Sequence, residues 1–174
     1  GNGITKLIER ALPAEARTAT IIAKVREEFV RYYQQHKTDL SRVYPGITEL
    51  LKALHQAGVK LAVASNKYHQ GTVELIHHFF GEHLFDVVLG QRENIPTKPD
   101  PSIIYEILEQ TKINPAHTLY IGDSGVDMQT ALNSGITSIG VNWGFRPEEE
   151  LKQNRACYIA KEVSDIAKIA GIFL

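Results

Sequence analysis

Between Thr118 and Asp127 the chain reads TLYIGDSGVD. A short β-type run, Thr118 to Ile121, delivers Gly122 and a carboxylate, Asp123, and a second carboxylate, Asp127, follows four residues later. Apolar positions resume at Met128, Ala131 and Leu132, the spacing of a helix that Gly135 closes. Asp123 and Asp127 therefore flank a strand-to-helix turn. Open parallel sheets bind ligands just outside the carboxyl ends of their strands, where Asp123 falls. Two such carboxylates suit a hard divalent cation with phosphate on its far side. The stretch also fits a plain helix start, with Asp123 or Ser124 as N-cap and Asp127 as a solvated first-turn acid.

Upstream and downstream, strand and helix alternate. From Tyr44 onward the spacing predicts a helix through Ile47, Leu50, Leu51 and Leu54 that ends at Gly58, then a strand from Val59 to Ala64. A helix carrying Val73, Ile76, Phe79 and Phe80 follows, and then a strand from Phe85 to Leu89. Ser102 to Gln110 reads as a helix introduced by Asp100-Pro101, a capping acid with proline at the first helical position. After the central turn come a strand at Ser138 to Val141, a short helix from Pro147, a strand at Tyr158-Ile159 and a last helix from Val163 to Ile169. This alternation predicts an α/β fold, a three-layer Rossmann-like core in which helices cover both faces of a parallel sheet.

The first 43 residues differ. Ile4, Leu7, Ile8 and Leu12 mark one helix up to Pro13, and a longer helix is expected from Ala14 to His36. Its stripe, which includes Ile22, Val25, Phe29 and Tyr33, reads as ordinary helix packing. No strand is expected in this part.

Composition narrows the function classes. The 174 residues are 43% hydrophobic and 22% charged with a net charge of −1, so neither nucleic acid nor an anionic membrane surface is expected as a partner. No apolar run is long enough to span a bilayer. Cys157 is the single cysteine, which excludes an internal disulfide and suits a reducing, cytoplasmic setting. Oligomeric state stays open.

Two further residues sit at the same kind of position as Asp123. Ser65 ends the run KLAVAS, where a hydroxyl and the main-chain N–H of Asn66 could hold a phosphoryl oxygen, or simply cap the next helix. Lys98 stands just ahead of the Asp100-Pro101 helix start and, taken alone, reads as a solvated lysine. Lys6 and Asn2 read as exposed helix residues rather than residues facing the site, Trp143 as packing rather than a cover over the pocket, and His69, His77, His78 and His83 as a solvated face rather than a zinc site.

The ordered set is more specific than its parts. YPG at 44–46, SNK at 65–67, KPDP at 98–101, GDSGVD at 122–127 and GVNWG at 140–144 occur in this sequence with strands and helices between them. Together they resemble the haloacid dehalogenase superfamily of phosphohydrolases and, within it, the phosphoglycolate phosphatase group. The resemblance runs from Tyr44 nearly to the end. Residues 1–43 are similar to the tail of that family's helical cap, and 44–174 to its phosphatase core.

That resemblance implies phosphoryl transfer from a small phosphorylated metabolite through an aspartyl-phosphate. Ser65 and Asn66 would bind the phosphoryl group, and Lys98 would supply positive charge. Asp123 would bind Mg²⁺ directly, and Asp127, the second metal-site acid, would hold the ion's waters or orient Lys98. The family's first motif, a strand ending in Asp-x-Asp, supplies the nucleophile, yet these 174 residues contain no Asp-x-Asp. The expectation is that this motif and its strand lie upstream of Gly1. In the family the strand lies between those ending at Ser65 and Ile121, and backbone groups left without it would each cost about 1–3 kcal/mol. Two other readings remain open: a truncated relative that binds phosphate, metal or a partner without turnover, and a sugar phosphomutase of the same fold.

Overall fold

The computed structural model describes residues 3–172. Two helices come first, α1 (Gly3–Ala11) and α2 (Ala19–His36). The expected single helix over 14–36 is broken: Ala14–Ala16 forms a 3₁₀ turn, and Thr18 sits in extended backbone with its hydroxyl accepting the Ile21 N–H at 3.3 Å. A threonine that satisfies an orphan N–H of the next turn starts a helix of its own, which is why the longer one divides here. No residue of α2 is fully buried, so its aromatic stripe is only half covered.

The remainder alternates as expected. In order it comprises α3 (Ile47–Gln56), β1 (Ala62–Tyr68), α4 (His69–Phe80), β2 (Val87–Gln91), α5 (Ser102–Thr111), β3 (Leu119–Gly122) and α6 (Gly125–Ser134). It closes with β4 (Thr137–Val141), α7 (Glu148–Gln153), β5 (Tyr158–Ala160) and α8 (Val163–Ile169). All strand pairs are parallel.

β1 departs most from its expected bounds. Residues 59–61 form a lead-in pinned by Asp86, whose carboxylate accepts the Leu61 N–H at 2.9 Å and the Lys60 ammonium at 2.7 Å. The ladder with β2 is regular from Ala62↔Val87 to Ala64↔Leu89 and resumes at Tyr68↔Gln91, so four steps along β1 match two along β2. This bulge places Ser65, Asn66 and Lys67 where regular pairing stops, a frequent device for re-aiming side chains beside a site.

Among the described residues the strands form two sheets, β1-β2 and β3-β4-β5, rather than one. β1 pairs only with β2, and β3 only with β4. Helices cover both faces. One apolar cluster joins Leu50, Leu54, Ile139, Val141, Ile166 and Ala167 from α3, β4 and α8. The other joins Leu89, Ile103, Ile107, Tyr120, Ala131 and Ile136 around α5 and α6. Leu119 packs with the first cluster and Tyr120 belongs to the second, which is the two-residue alternation of a strand. Ile121, next along β3, is 45% exposed, unusual for a parallel strand. Among the described residues no helix is long and apolar enough to cross a membrane.

Candidate active site

Lys98 is the hub of the site. Its ammonium donates to the Ala64 carbonyl at 2.9 Å, the Tyr120 hydroxyl at 3.0 Å and Asp127 Oδ1 at 2.8 Å. One side chain thus ties the unpaired side of β1 to β3 and to the start of α6. All three ammonium hydrogens have acceptors, so Lys98 offers an incoming anion its charge first, and a hydrogen bond only by releasing one acceptor. Asn66, 8% exposed, holds the lysine's backbone: its Nδ2 donates to the Lys98 carbonyl at 3.1 Å and its Oδ1 accepts the Lys98 N–H at 2.8 Å.

Asp127 occupies the first turn of α6 and is buried, not the solvated acid of a bare helix start. Oδ1 accepts from Lys98 and, at 3.1 Å, from Tyr120; Oδ2 accepts the Ser124 hydroxyl at 2.6 Å. Burial pushes the Asp127 carboxyl up, but the Lys98 charge and the bonds from Lys98, Ser124 and Tyr120 outweigh it and hold the group below its ordinary range. Burial, with the Asp127 charge beside it, drives the Tyr120 phenol well above its usual range, so it stays a neutral donor. The helix-cap reading holds alongside: Ser124 Oγ also accepts the Asp127 N–H, at 3.4 Å.

Asp123 follows the end of β3. Its Oδ2 accepts the Phe145 N–H at 3.1 Å from the loop after β4. A Cβ added at Gly144 would fall 2.3 Å from Asp123 Cβ, and one at Gly122 would fall 2.3 Å from Asp127 Cβ. Both glycines are thus demanded by the carboxylates they sit against. Ser65 Oγ accepts the Lys67 N–H at 3.1 Å, which leaves the serine's own hydrogen to donate.

Ser65, Asn66, Lys98, Asp123 and Asp127 all line one cavity of about 530 Å³. Its other wall is α1 and α2, with Lys6, Arg10 and Tyr33. Lys6 is exposed, as expected, yet it also lines this cavity and pairs with Glu9 at 2.6 Å. Trp143 packs against the α3/α8 cluster. His77, His78 and His83 are exposed, whereas His69 Nδ1 accepts the Gly90 N–H at 3.2 Å. Asn2 lies outside the described residues.

Among the described residues no group of three or more His, Cys, Asp or Glu side chains could hold a metal by itself. Asp123 suits a cation that needs few protein ligands: Mg²⁺ takes one or two carboxylates and fills its octahedron with water and phosphate oxygens. Both Asp127 oxygens are already engaged by protein donors. Tyr120, Ser124, Lys67, Arg10 and Arg146 are site residues that sequence reasoning missed. Tyr120 carried a signal, a polar-tipped residue in a buried strand just before the carboxylates, as did Ser124 within GDSGVD and Lys67 within SNK.

The family model for haloacid dehalogenase-like hydrolases matches residues 3–141. Phosphoglycolate phosphatases of Vibrio vulnificus strain YJ016 and Mannheimia succiniciproducens are 32% and 30% identical; each alignment covers 97% of this chain, and 76% and 78% of the respective relative. A crystal structure from Lactobacillus delbrueckii subsp. bulgaricus, provisionally called a phosphoglycolate phosphatase, is 33% identical. It superposes with a TM-score of 0.90 over 98% of this chain and 79% of that one.

Proposed function

Because the chain belongs to the haloacid dehalogenase-like hydrolase family, we propose that it is a Mg²⁺-dependent phosphomonoester hydrolase of small phosphorylated metabolites, 2-phosphoglycolate foremost. In this reading a nucleophilic aspartate outside these 174 residues forms an aspartyl-phosphate. Residues 1–43 belong to a helical cap over a core of 44–174, in a cytoplasmic setting. The observation that carries it is convergence: the Ser65 hydroxyl, the Lys98 ammonium and the Asp123 carboxylate line one cavity.

Splitting hydrolysis through a covalent intermediate replaces one hard step by two. The incoming carboxylate bonds to phosphorus as the ester oxygen leaves with a proton; water then cleaves the acyl phosphate to orthophosphate. Two like charges about 4 Å apart at an effective dielectric near 20 repel by roughly 4 kcal/mol, which the site must offset. Ser65 donates its hydrogen to one phosphoryl oxygen, with the Asn66 N–H beside it. Lys98 presents positive charge, aimed by Asn66 on its backbone and by Asp127 and Tyr120 on its head. Releasing the Ala64 carbonyl frees one N–H for the phosphoryl group. Asp123, with Asp127 behind it, would hold Mg²⁺, which supplies charge neutralisation of the phosphate when bound.

The split sheet supports an outside source for the nucleophile. β1 and β3 each pair on one side only among the described residues, Lys98 bonds to both, and Ile121 is left exposed. A parallel strand between them would deliver its carboxyl end to the cavity.

The test is a panel of small phosphomonoesters assayed with Mg²⁺ and the complete encoded protein, including whatever precedes Gly1. Orthophosphate release, fastest from 2-phosphoglycolate, is expected, with none from the 174 residues alone. Release from no phosphomonoester by the complete protein, or turnover by the 174 residues, contradicts the reading.

A further inference from the structure

The cavity carries more positive charge than a phosphoryl group and a metal site consume. Five cationic side chains line it, Lys6, Arg10, Lys67, Lys98 and Arg146, against two acids, Asp123 and Asp127. Three of the five are balanced: Lys98 by Asp127 at 2.8 Å, Lys6 by Glu9 at 2.6 Å, and Arg146 by Glu150 at 3.8 Å. The other two are not. The Lys67 ammonium donates to the neutral Tyr33 hydroxyl at 2.7 Å and lies 4.2 Å from the centre of the Tyr33 ring. A phenol orients an ammonium without cancelling its charge. Arg10 makes no hydrogen bond or ion pair among the described residues, although Glu9 feels its charge.

Lys67 is also tied to the phosphoryl end. It follows Ser65 by two residues on the bulged segment, and its N–H donates to Ser65 Oγ at 3.1 Å. The hydroxyl that would grip phosphate and the unbalanced ammonium therefore leave the backbone at most about 7 Å apart. That separation selects a compact molecule with two anionic ends.

Resting on the phosphatase reading above, we propose that Lys67, held by Tyr33 and assisted by Arg10, binds a second anionic group of the substrate, a carboxylate. These two cations then set the preference for phosphorylated small acids over plain phosphomonoesters. Lys67 lies on β1 and Arg10 on α1, so recognition of the acid end joins the helical wall to the core wall.

The test compares 2-phosphoglycolate with ethyl phosphate, which lacks the carboxylate, in the complete encoded protein with Mg²⁺. In Lys67→Met the ratio of kcat/KM for 2-phosphoglycolate to that for ethyl phosphate is expected to fall at least about tenfold, as loss of a charged hydrogen bond implies. Most of the fall should lie in KM. Arg10→Met should lower the ratio in the same direction, and Lys67→Arg, which keeps the charge, should restore much of it. Because the readout is a ratio within one variant, a loss of folded protein cannot mimic it. Unchanged ratios in both methionine variants, with wild-type activity present, overturn this inference and leave the phosphatase reading intact. Release of orthophosphate from neither substrate by the wild-type protein overturns this inference as well, and the phosphatase reading then falls only if the whole panel of phosphomonoesters is left intact.

Discussion

Lys98 Nζ lies 2.8 Å from Asp127 Oδ1, with the two side chains only 11% and 12% exposed. A pair withdrawn this far from water costs several kcal/mol per ion in desolvation, and it persists because each charge is fully hydrogen-bonded. Ala64, Tyr120 and Ser124 complete the set. The pair thus serves two ends at once: it locks the loop before α5 to the start of α6, and it keeps an ammonium at the cavity.

Lys98→Ala should separate those roles. In the complete encoded protein, turnover is expected to fall at least about a hundredfold, the scale for losing one electrostatic stabiliser. Stability should fall by about 3–5 kcal/mol, because a buried carboxylate loses its counter-charge. Steady-state kinetics and urea denaturation measure the two effects, and near wild-type turnover in a folded variant contradicts the assignment.

Asp127 should leave a mark on acid stability. Its carboxyl is held below the ordinary value of 3.8, so its contribution is complete above 3.8 and is lost as pH falls through the lower folded value. Urea denaturation from pH 7 down to pH 2 should show a steeper acid decline in the wild type than in Asp127→Asn, which has no proton to take up there. Identical slopes below pH 4 would place the charge elsewhere.

Asp123→Asn should raise the Mg²⁺ concentration needed for half-maximal turnover while leaving the fold intact, since an amide oxygen can still accept the Phe145 N–H. A metal titration of activity checks this, and an unchanged curve removes Asp123 from the metal site.

Gly144→Ala should act through Asp123. The added methyl would sit 2.5 Å from Asp123 Oδ2, so the carboxylate must move. A metal titration shifted in the same direction as that of Asp123→Asn is expected. A wild-type titration would mean that the loop gives way instead.

Local chemistry made much of this legible in the sequence. Gly58, Gly135 and the KPDP turn punctuate the chain, so α3, α5, α6 and α8 fall where spacing places them. Thr18 carried the cap signal that divides 14–36, and the apolar stripe begins only after it, at Ile21. Non-local facts were not legible. The bulge that gives SNK to β1 depends on how β2 pairs, and the role of Tyr120 depends on Lys98 arriving from 22 residues upstream. The sequence points to the main-chain N–H of Asn66 as a phosphate contact, and gives no sign that its side chain also clamps Lys98.

The most direct measurement is a crystal structure of the complete encoded protein with Mg²⁺ and orthovanadate, a mimic of the phosphoryl group in flight. The expected result is one vanadate in the 530 Å³ cavity, with Ser65 Oγ and Lys98 Nζ on its oxygens and Mg²⁺ on Asp123. Vanadate bound away from these three side chains, or a metal bound without Asp123, would contradict it.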